Sequence, residues 1–441
     1  METKRVQLRP GVWLTYVKEE KFKTACFSVS VLSQLCRDTA SMNALIPYVL
    51  KRGTNQSPDL QAIQERFDNL YGTSVDPLVF KSGEIQSSGF YASFPEDDFL
   101  PEGSDVLRGA LSLTMELLLS PATRGGLLLP AYVESERENL ADQIAARVNN
   151  KRTYAVFRCM EEMCRFEDYA IGRYGDEESC RSIGYRKLSR HYKELLQHAP
   201  VEMFYCGRAP FRKITEILSD LTATLPRGEL DDEIGTDIRM NSVEEEPRIT
   251  EEHMDVAQTN LVIGWRLGEC MEEPDIPALY VFNAVFGGSP NSRLFLHVRE
   301  KLHLCYYASS VLDQVKGLLL VSAGIQRENY ELARDEIFSQ LRLIAEGQIS
   351  DVELGAAIAA IVSDMRSVPD SQASLQSFCT AQVLRGLEFG PEELAELVQE
   401  VTAERVARIA QSVVCDQIYL LSPEEGDEEE EIQEEEAEET T

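Results

Sequence analysis

Apolar and polar residues alternate through Ala25, Phe27, Val29 and Val31, and this period of two marks residues 22–35 as a long strand. Before it, Val6 and Leu8, then Gly11 as a turn, then the apolar run 12–17, read as a strand pair over 5–17. The period then lengthens. Helices are predicted near 40–51, 58–70 (headed by Ser57, Pro58 and Asp59), 106–119, 130–149, 153–166, 187–198 and 211–221, with strands near 74–81, 87–95 and 201–206. The residues beyond 250 repeat the theme. A strand at 259–267 precedes helices at 278–286 and 293–301. A hairpin of 306–312 and 318–325 follows, then helices near 327–346, 350–366, 370–386, 391–400 and 403–412, and a closing strand at 417–421. Strand, helix, helix, hairpin and a block of helices occur in that order twice, which predicts an internally duplicated α+β chain.

Length agrees with two halves: 441 residues exceed one simple core and suit two of roughly 200. The polar, acidic stretch 226–250 reads as the join, which sets an N-terminal domain at 1–225 and a C-terminal domain at 251–423. Residues 424–441 are dominated by Glu and cannot bury enough apolar surface to offset the entropy of ordering, so a disordered acidic tail is expected. Formal net charge is −32, and 12 acidic side chains follow Pro423, leaving about −20 on the rest. That balance excludes nucleic acid and an anionic membrane surface as partners. Ten cysteines without a C-x-x-C pair, and a start free of an apolar leader, point to reduced thiols and a cytoplasmic protein. No apolar run approaches the length of a membrane span.

The candidate chemistry sits near the start of the second hairpin. Arg299 and Tyr306 lie seven residues apart, a spacing of two helical turns that would put both polar tips on one side of an element. A guanidinium and a phenol held together can donate hydrogen bonds to the oxyanion of an acyl-transfer intermediate. Neither activates water, so they make half of an active site. No nucleophile, base and orienting group cluster elsewhere. His297 and His303 flank Arg299 but, six residues apart, share no helical face; His191 and His198 do share one and read as part of a surface helix. Arg293 reads as structural, Tyr307 as facing the other side of its strand, and Cys305 as a small apolar packing residue.

Three motifs carry a family resemblance that covers the chain up to about residue 422. Ser292, Arg293, Leu294 and Phe295, running into Val298, Arg299, Glu300, Lys301, Leu302, His303, Leu304, Cys305 and Tyr306, resemble a C-terminal signature of the pitrilysin/insulinase (inverzincin) metallopeptidases. Leu50, Lys51, Arg52, Gly53 and Thr54 are similar to the segment that closes the family's catalytic helix. Val133, Glu134, Ser135, Glu136, Arg137 and Glu138, continuing to Gln143 and Ile144, resemble its long ligand-bearing helix. The resemblance implies two α/β halves of the processing-peptidase-like fold, each a mainly antiparallel sheet with a block of helices, in a clam-like half chamber.

Active members need H-x-x-E-H: two imidazoles four residues apart to hold zinc, and a carboxylate between them as base. Counted back from Gly53, the imidazole positions fall on Ala44 and Tyr48 and the base on Pro47; Glu136 matches the earlier acid of the ligand helix, but Gln143 stands at the third-ligand position. No metal and no other cofactor is therefore expected. The chain resembles the family's non-catalytic branch, akin to the alpha subunit of mitochondrial processing peptidase, and above all a bacterial group associated with elongation factor P modification. By that resemblance it pairs with a zinc-bearing homologue as a heterodimer and supplies Arg299 and Tyr306 in trans for hydrolysis of a peptide or protein substrate. Gly287 and Gly288 resemble a shortened glycine-rich substrate loop, although a plain turn also fits them. The alternative is a homodimer that binds peptide, or serves as a scaffold, without cutting.

Overall fold

The computed structural model describes residues 2–424 apart from Asp232, so the expected tail lies, beyond Glu424, outside the described residues. Strands β1 (Glu2–Arg9), β2 (Val12–Lys18) and β3 (Thr24–Gln34) come first. Helices α1 (Ala40–Lys51) and α2 (Leu60–Asn69), strands β4 (Ser74–Ser82) and β5 (Ile85–Pro95), helix α3 (Val106–Leu119) and the two-residue strands β6 (Thr123–Arg124) and β7 (Leu127–Leu128) follow. Then come α4 (Pro130–Ala145), α5 (Lys151–Met163), α6 (Glu177–Arg181), α7 (Tyr185–His198), β8 (Val201–Gly207) and α8 (Phe211–Thr222). The second half runs β9 (Arg248–His253), β10 (Thr259–Arg266), α9 (Ile276–Asn283), β11 (Cys305–Asp313), β12 (Leu318–Ile325), α10 (Tyr330–Ala345), α11 (Asp351–Ser367), α12 (Gln372–Leu384), α13 (Pro391–Gln399), α14 (Ala403–Ser412) and β13 (Val414–Ser422).

Two large sheets organise these elements. The first has the order β1-β2-β8-β3-β5-β4 and is antiparallel except where β2 meets β8. The second has the order β11-β12-β10-β13-β9 and is antiparallel except where β13 meets β9. Taken in chain order, β2, β3, β4, β5 and β8 occupy the same places, in the same directions, as β9, β10, β11, β12 and β13. The duplication is therefore one of topology, with β1 an addition to the first copy. In both copies the strand that follows the first turn, β3 or β10, is central and buried on both faces, although β3 alternates Phe27, Val29 and Val31 with the small polar Ser28 and Ser30.

The chain folds into two compact units, and they are not simply consecutive. Among the described residues, the first comprises 2–146, 171–236 and 368–388; the second takes 147–170, 237–367 and 389–424. Helix α5 packs Ala155 and Cys159 against Val262, Leu320, Tyr419 and Leu421 of the second sheet. Helix α12 packs Leu375 against Val17, Cys26, Phe204 and Cys206 of the first, and Gln372 Nε2 donates to the carbonyls of Thr24 at 2.8 Å and Cys206 at 3.2 Å. Each half of the sequence thus supplies one helix to the other unit's core. The predicted division at 1–225 and 251–423 misses this exchange, because periodicity shows that a helix has an apolar stripe and not which sheet receives it. The predicted join also ends early: Arg248–His253 is strand β9, paired with β13. Among the described residues no helix is long and apolar enough to cross a membrane.

Candidate functional site

The locus that would hold zinc lies in the first unit, on α1 and α4. Ten of the twelve residues of α1 are buried, Ala44 and Pro47 among them, so this is a core helix with Pro47 in its interior. Pro47 has no N–H to offer the carbonyl of Asn43 four residues back. Tyr48 is half buried and its hydroxyl pairs with that of Tyr174; burial first, then Tyr174, holds the phenol well above its usual pKa and so un-ionised. Gln143 is exposed, its Nε2 3.4 Å from the Tyr174 hydroxyl. Glu136, the one carboxylate at a matching position, accepts from Arg52 Nη1 at 2.9 Å, and the guanidinium lies 5.2 Å from the centre of the Tyr132 ring.

These side chains do not fit a zinc ion. They offer a methyl, a neutral phenol, an amide and a carboxylate already paired with a cation, where the ion needs three anionic or imidazole donors. Among the described residues no three His, Cys, Asp or Glu side chains converge as a metal site. What remains beside the locus is a cleft of about 630 Å³ whose lining includes Tyr48, Arg52, Leu60, Phe67, Pro77 and Glu136.

Behind α1 lies a buried polar cluster. Asn43 Nδ2 donates to Gln86 Oε1 at 3.0 Å and Ser33 Oγ at 2.9 Å, Gln86 Nε2 donates to the carbonyls of Ala40 and Arg173, and His191 Nε2 stands 2.5 Å from Asn43 Oδ1. His191 is therefore a partly buried core contact, not the surface residue expected, and burial lowers its pKa. The visible signal was an Asn in an otherwise apolar helix, which needs a partner when buried. His198 does stay at the surface, its Nδ1 2.6 Å from the Glu229 carbonyl.

The Arg299 and Tyr306 pair belongs to the second unit. Arg299 stands on a wide helical segment with π-type hydrogen bonding, Leu294–Lys301, which anchors itself through buried Leu294 and Val298. Its guanidinium lies 4.7 Å from the Phe295 ring centre and 3.5 Å from the Glu300 carboxylate. The helix stops there, and His303 takes a left-handed conformation with φ of 54°. Tyr306 comes from β11, so the pair does not span two turns of one helix. The register of β11 on β12 jumps between Cys305 and Tyr307, leaving Tyr306 in a bulge and 66% exposed. A bulge re-aims a side chain without ending the strand. Arg299 and Tyr306 nevertheless line one cleft of about 390 Å³, together with His303, Cys305, Gln326 and Asn329.

The neighbours are structural. Burial pushes the Cys305 thiol up to about 11, so it stays protonated at neutral pH and is no nucleophile. Tyr307 donates to Asn260 Oδ1 at 2.9 Å and carries the Arg152 guanidinium 3.8 Å above its ring. Arg293 is held by Glu353 at 2.9 Å. Gly287 and Gly288 sit in a second π-type segment, Ala284–Gly288, rather than in an open loop. A Cβ on Gly287 would stand 2.7 Å from both Leu294 Cδ1 and the Ser310 nitrogen, so this glycine lets the helix lie close against β11.

Residues 182–361 match the family described as Peptidase M16 inactive domain. A Bacillus subtilis (strain 168) protein described as "Probable inactive metalloprotease YmfF" is 31% identical over 418 residues, 94% of this chain and 97% of its own. The chain belongs to the M16 peptidase family. It is an inactive homologue, in keeping with the side chains at Ala44, Pro47, Tyr48 and Gln143. A conserved protein from Enterococcus faecalis V583 has a solved structure that superposes with a TM-score of 0.86 at 26% identity, over 96% of this chain and 99% of that one. The solved peptidase M16 inactive domain from Pseudomonas fluorescens gives 0.76 at 18% identity, over 96% and 98%, a likeness of fold.

Proposed function

We propose that this chain pairs with a zinc-bearing M16 homologue and lends Arg299 and Tyr306 to that partner's site. There the guanidinium and phenol would donate to the oxyanion formed as the partner's zinc-activated water attacks a peptide carbonyl. One observation carries the reading: two hydrogen-bond donors share an open cleft in a chain whose own zinc locus cannot bind the metal. The test is to mix the chain with a homologue that has an intact H-x-x-E-H and to follow peptide cleavage. Arg299→Ala and Tyr306→Phe should each lower kcat by about 100- to 1,000-fold, the effect of losing one oxyanion donor. Unchanged rates with both variants would end the proposal.

A second reading has support in the cleft beside Tyr48, which persists although the metal donors are gone. In it the chain binds peptide as a homodimer without hydrolysis. Sedimentation separates the two: a one-to-one complex with the zinc homologue favours the first, self-association indifferent to that homologue the second.

A further inference from the structure

The strands of the first sheet sort their side chains between its two faces. From β3, Ala25, Phe27, Val29 and Val31 enter the apolar core on one face. The alternate residues Cys26, Ser28 and Ser30 point to the other, the face that α12 covers. There Cys26 stands directly opposite Cys206 in the antiparallel register of β3 on β8, and both are fully buried. Directly opposed residues of antiparallel strands have Cα atoms about 4.5–5.5 Å apart, inside the range that a disulfide spans. Among the described residues no other two cysteines are partners in a sheet ladder.

The two thiols share a hydrogen bond, donated by Cys206, and the Tyr91 hydroxyl of β5 donates a second to Cys26. The bond from Cys206 first, then the one from Tyr91, outweighs burial and holds the Cys26 pKa below its ordinary value. The more acidic thiol of the pair is thus the one with a second thiol beside it. One step along the same two strands, Ser28 faces Phe204. At that step Thr15, Ser28, Ser30, Glu202, Gln376 and Thr380 line a polar cavity of about 20 Å³ between the sheet and α12. A cavity of that size has room for a molecule of roughly one or two heavy atoms and none for a peptide. Leu375 and the half-buried Cys379 of α12 rest on the thiol pair.

We propose that Cys26 and Cys206 are a peroxide-sensitive dithiol, a reversible oxidation site inside the first unit. Cys26 gives up its proton, and its sulfur attacks one oxygen of hydrogen peroxide. The O–O bond breaks, the departing hydroxide takes up that proton as water, and Cys26 becomes a sulfenic acid. The Cys206 sulfur then attacks the Cys26 sulfur. The S–OH bond breaks, the S–S bond forms, and the hydroxide released takes up the Cys206 proton as a second water. Two thiols and one peroxide become one disulfide and two waters: the sulfurs are oxidised and the peroxide oxygens reduced. A dithiol reductant reverses the change by exchange. The new bond draws the sulfurs from hydrogen-bond contact to about 2.05 Å, so the surface beneath Leu375 and Cys379 retracts and α12 loses packing.

The experiment exposes the full, reduced chain to hydrogen peroxide, unfolds it in N-ethylmaleimide and maps its disulfides by mass spectrometry. The expected product is a linked pair of peptides holding Cys26 and Cys206, lost on treatment with a dithiol reductant. Hydrogen peroxide should form it at least about tenfold faster than glutathione disulfide at the same concentration, because only the smaller oxidant fits the cavity. Amide exchange over 372–384 should quicken with it. In Cys206→Ser, dimedone should trap Cys26 as the sulfenic acid; mapping on the unaltered chain decides the matter whatever that variant does to folding. The proposal is overturned if Cys26 and Cys206 stay open to alkylation while the exposed Cys36 is oxidised. It is overturned equally by linkage of either thiol to another cysteine, or by equal rates with the two oxidants, which would place the reaction in an unfolded chain.

Discussion

Glu167→Gln, a change of one side-chain atom, removes a charge from the interior of the second unit. The Glu167 side chain is 2% exposed and meets Arg266 Nη2 at 2.7 Å and Lys316 Nζ at 2.8 Å, both of those side chains being fully buried. Arg266 also donates from Nε to Asp416 Oδ2 at 2.7 Å, and Asp416 is held on its other side by Arg248 at 3.1 Å. Three buried cations and two carboxylates thus share the cluster, and a fourth cation, the partly exposed Arg239, stands 3.6 Å from Glu167. With Gln at 167, Arg266, Lys316 and Arg239 all lose the carboxylate charge that Glu167 gave them. Removing one member of such a cluster costs about 3–5 kcal/mol, because the ions left behind stay desolvated. Arg266→Met is the instructive contrast. It leaves Glu167 paired with Lys316 and Arg239 and Asp416 paired with Arg248, and should cost less than Glu167→Gln despite deleting the larger side chain.

Urea unfolding followed by tryptophan fluorescence measures both variants. The chain has two tryptophans, Trp13 in the first sheet and the buried Trp265 in the second, so a Trp13→Phe background reports the second unit alone. With a urea dependence of about 2–3 kcal/mol per M, Glu167→Gln should lower the midpoint by roughly 1–2 M. Acid adds a second readout. Burial alone would raise the Glu167 pKa, but the hydrogen bonds from Arg266 and Lys316 outweigh it and hold the pKa below the usual 4.5. A carboxylate depressed in the folded state gives stability that is present above 4.5 and lost as pH falls through the folded value. That acid-side loss should shrink in Glu167→Gln. A midpoint shift smaller than that of Arg266→Met would refute the charge-count reasoning.

Two further outcomes follow from the sites. Burial lowers the His191 pKa, so the unfolded chain binds the proton more readily, and this residue's contribution to stability declines as pH falls below about 6.5; His191→Gln should flatten the melting temperature between pH 7.5 and 5.5, by calorimetry. Gly287→Ala should cost about 1–3 kcal/mol in urea unfolding through its collision with Leu294 and Ser310; an unchanged midpoint would show that the close approach to β11 is not needed.

The elements that the sequence discloses are those whose burial follows a local period. α3 spans the predicted 106–119, and the hairpin of β11 and β12 stands where alternation places it. What stayed hidden is non-local. Nothing in residues 153–166 says that α5 covers the second sheet, since its stripe of Ala155, Cys159 and Met163 would suit either. Strand β9 was concealed in an acidic stretch because it is an edge: its pattern alternates exposed and half-buried residues and buries none of them fully. The loss of the zinc donors was legible at Ala44, Pro47, Tyr48 and Gln143 because it depends on chemical identity alone. The replacement of metal by the Arg52 and Glu136 ion pair and the Tyr48 and Tyr174 phenols was not, for it needs α1, α4 and the segment near 174 brought together.

The same distinction bears on what the two copies have become. Each carries a sheet edge formed by the first strand of a hairpin, β4 of β4–β5 in the first and β11 of β11–β12 in the second. The first copy has blocked that edge with Pro77 and flanking charges while its metal locus has filled with phenols and an ion pair. The second has kept its edge bare, with a bulge that turns Tyr306 outward beside Arg299. A bare, uncharged edge is an aggregation hazard in an isolated protein. Its persistence beside two exposed hydrogen-bond donors is economical if another polypeptide covers it in use, which is what the pairing proposed above would supply.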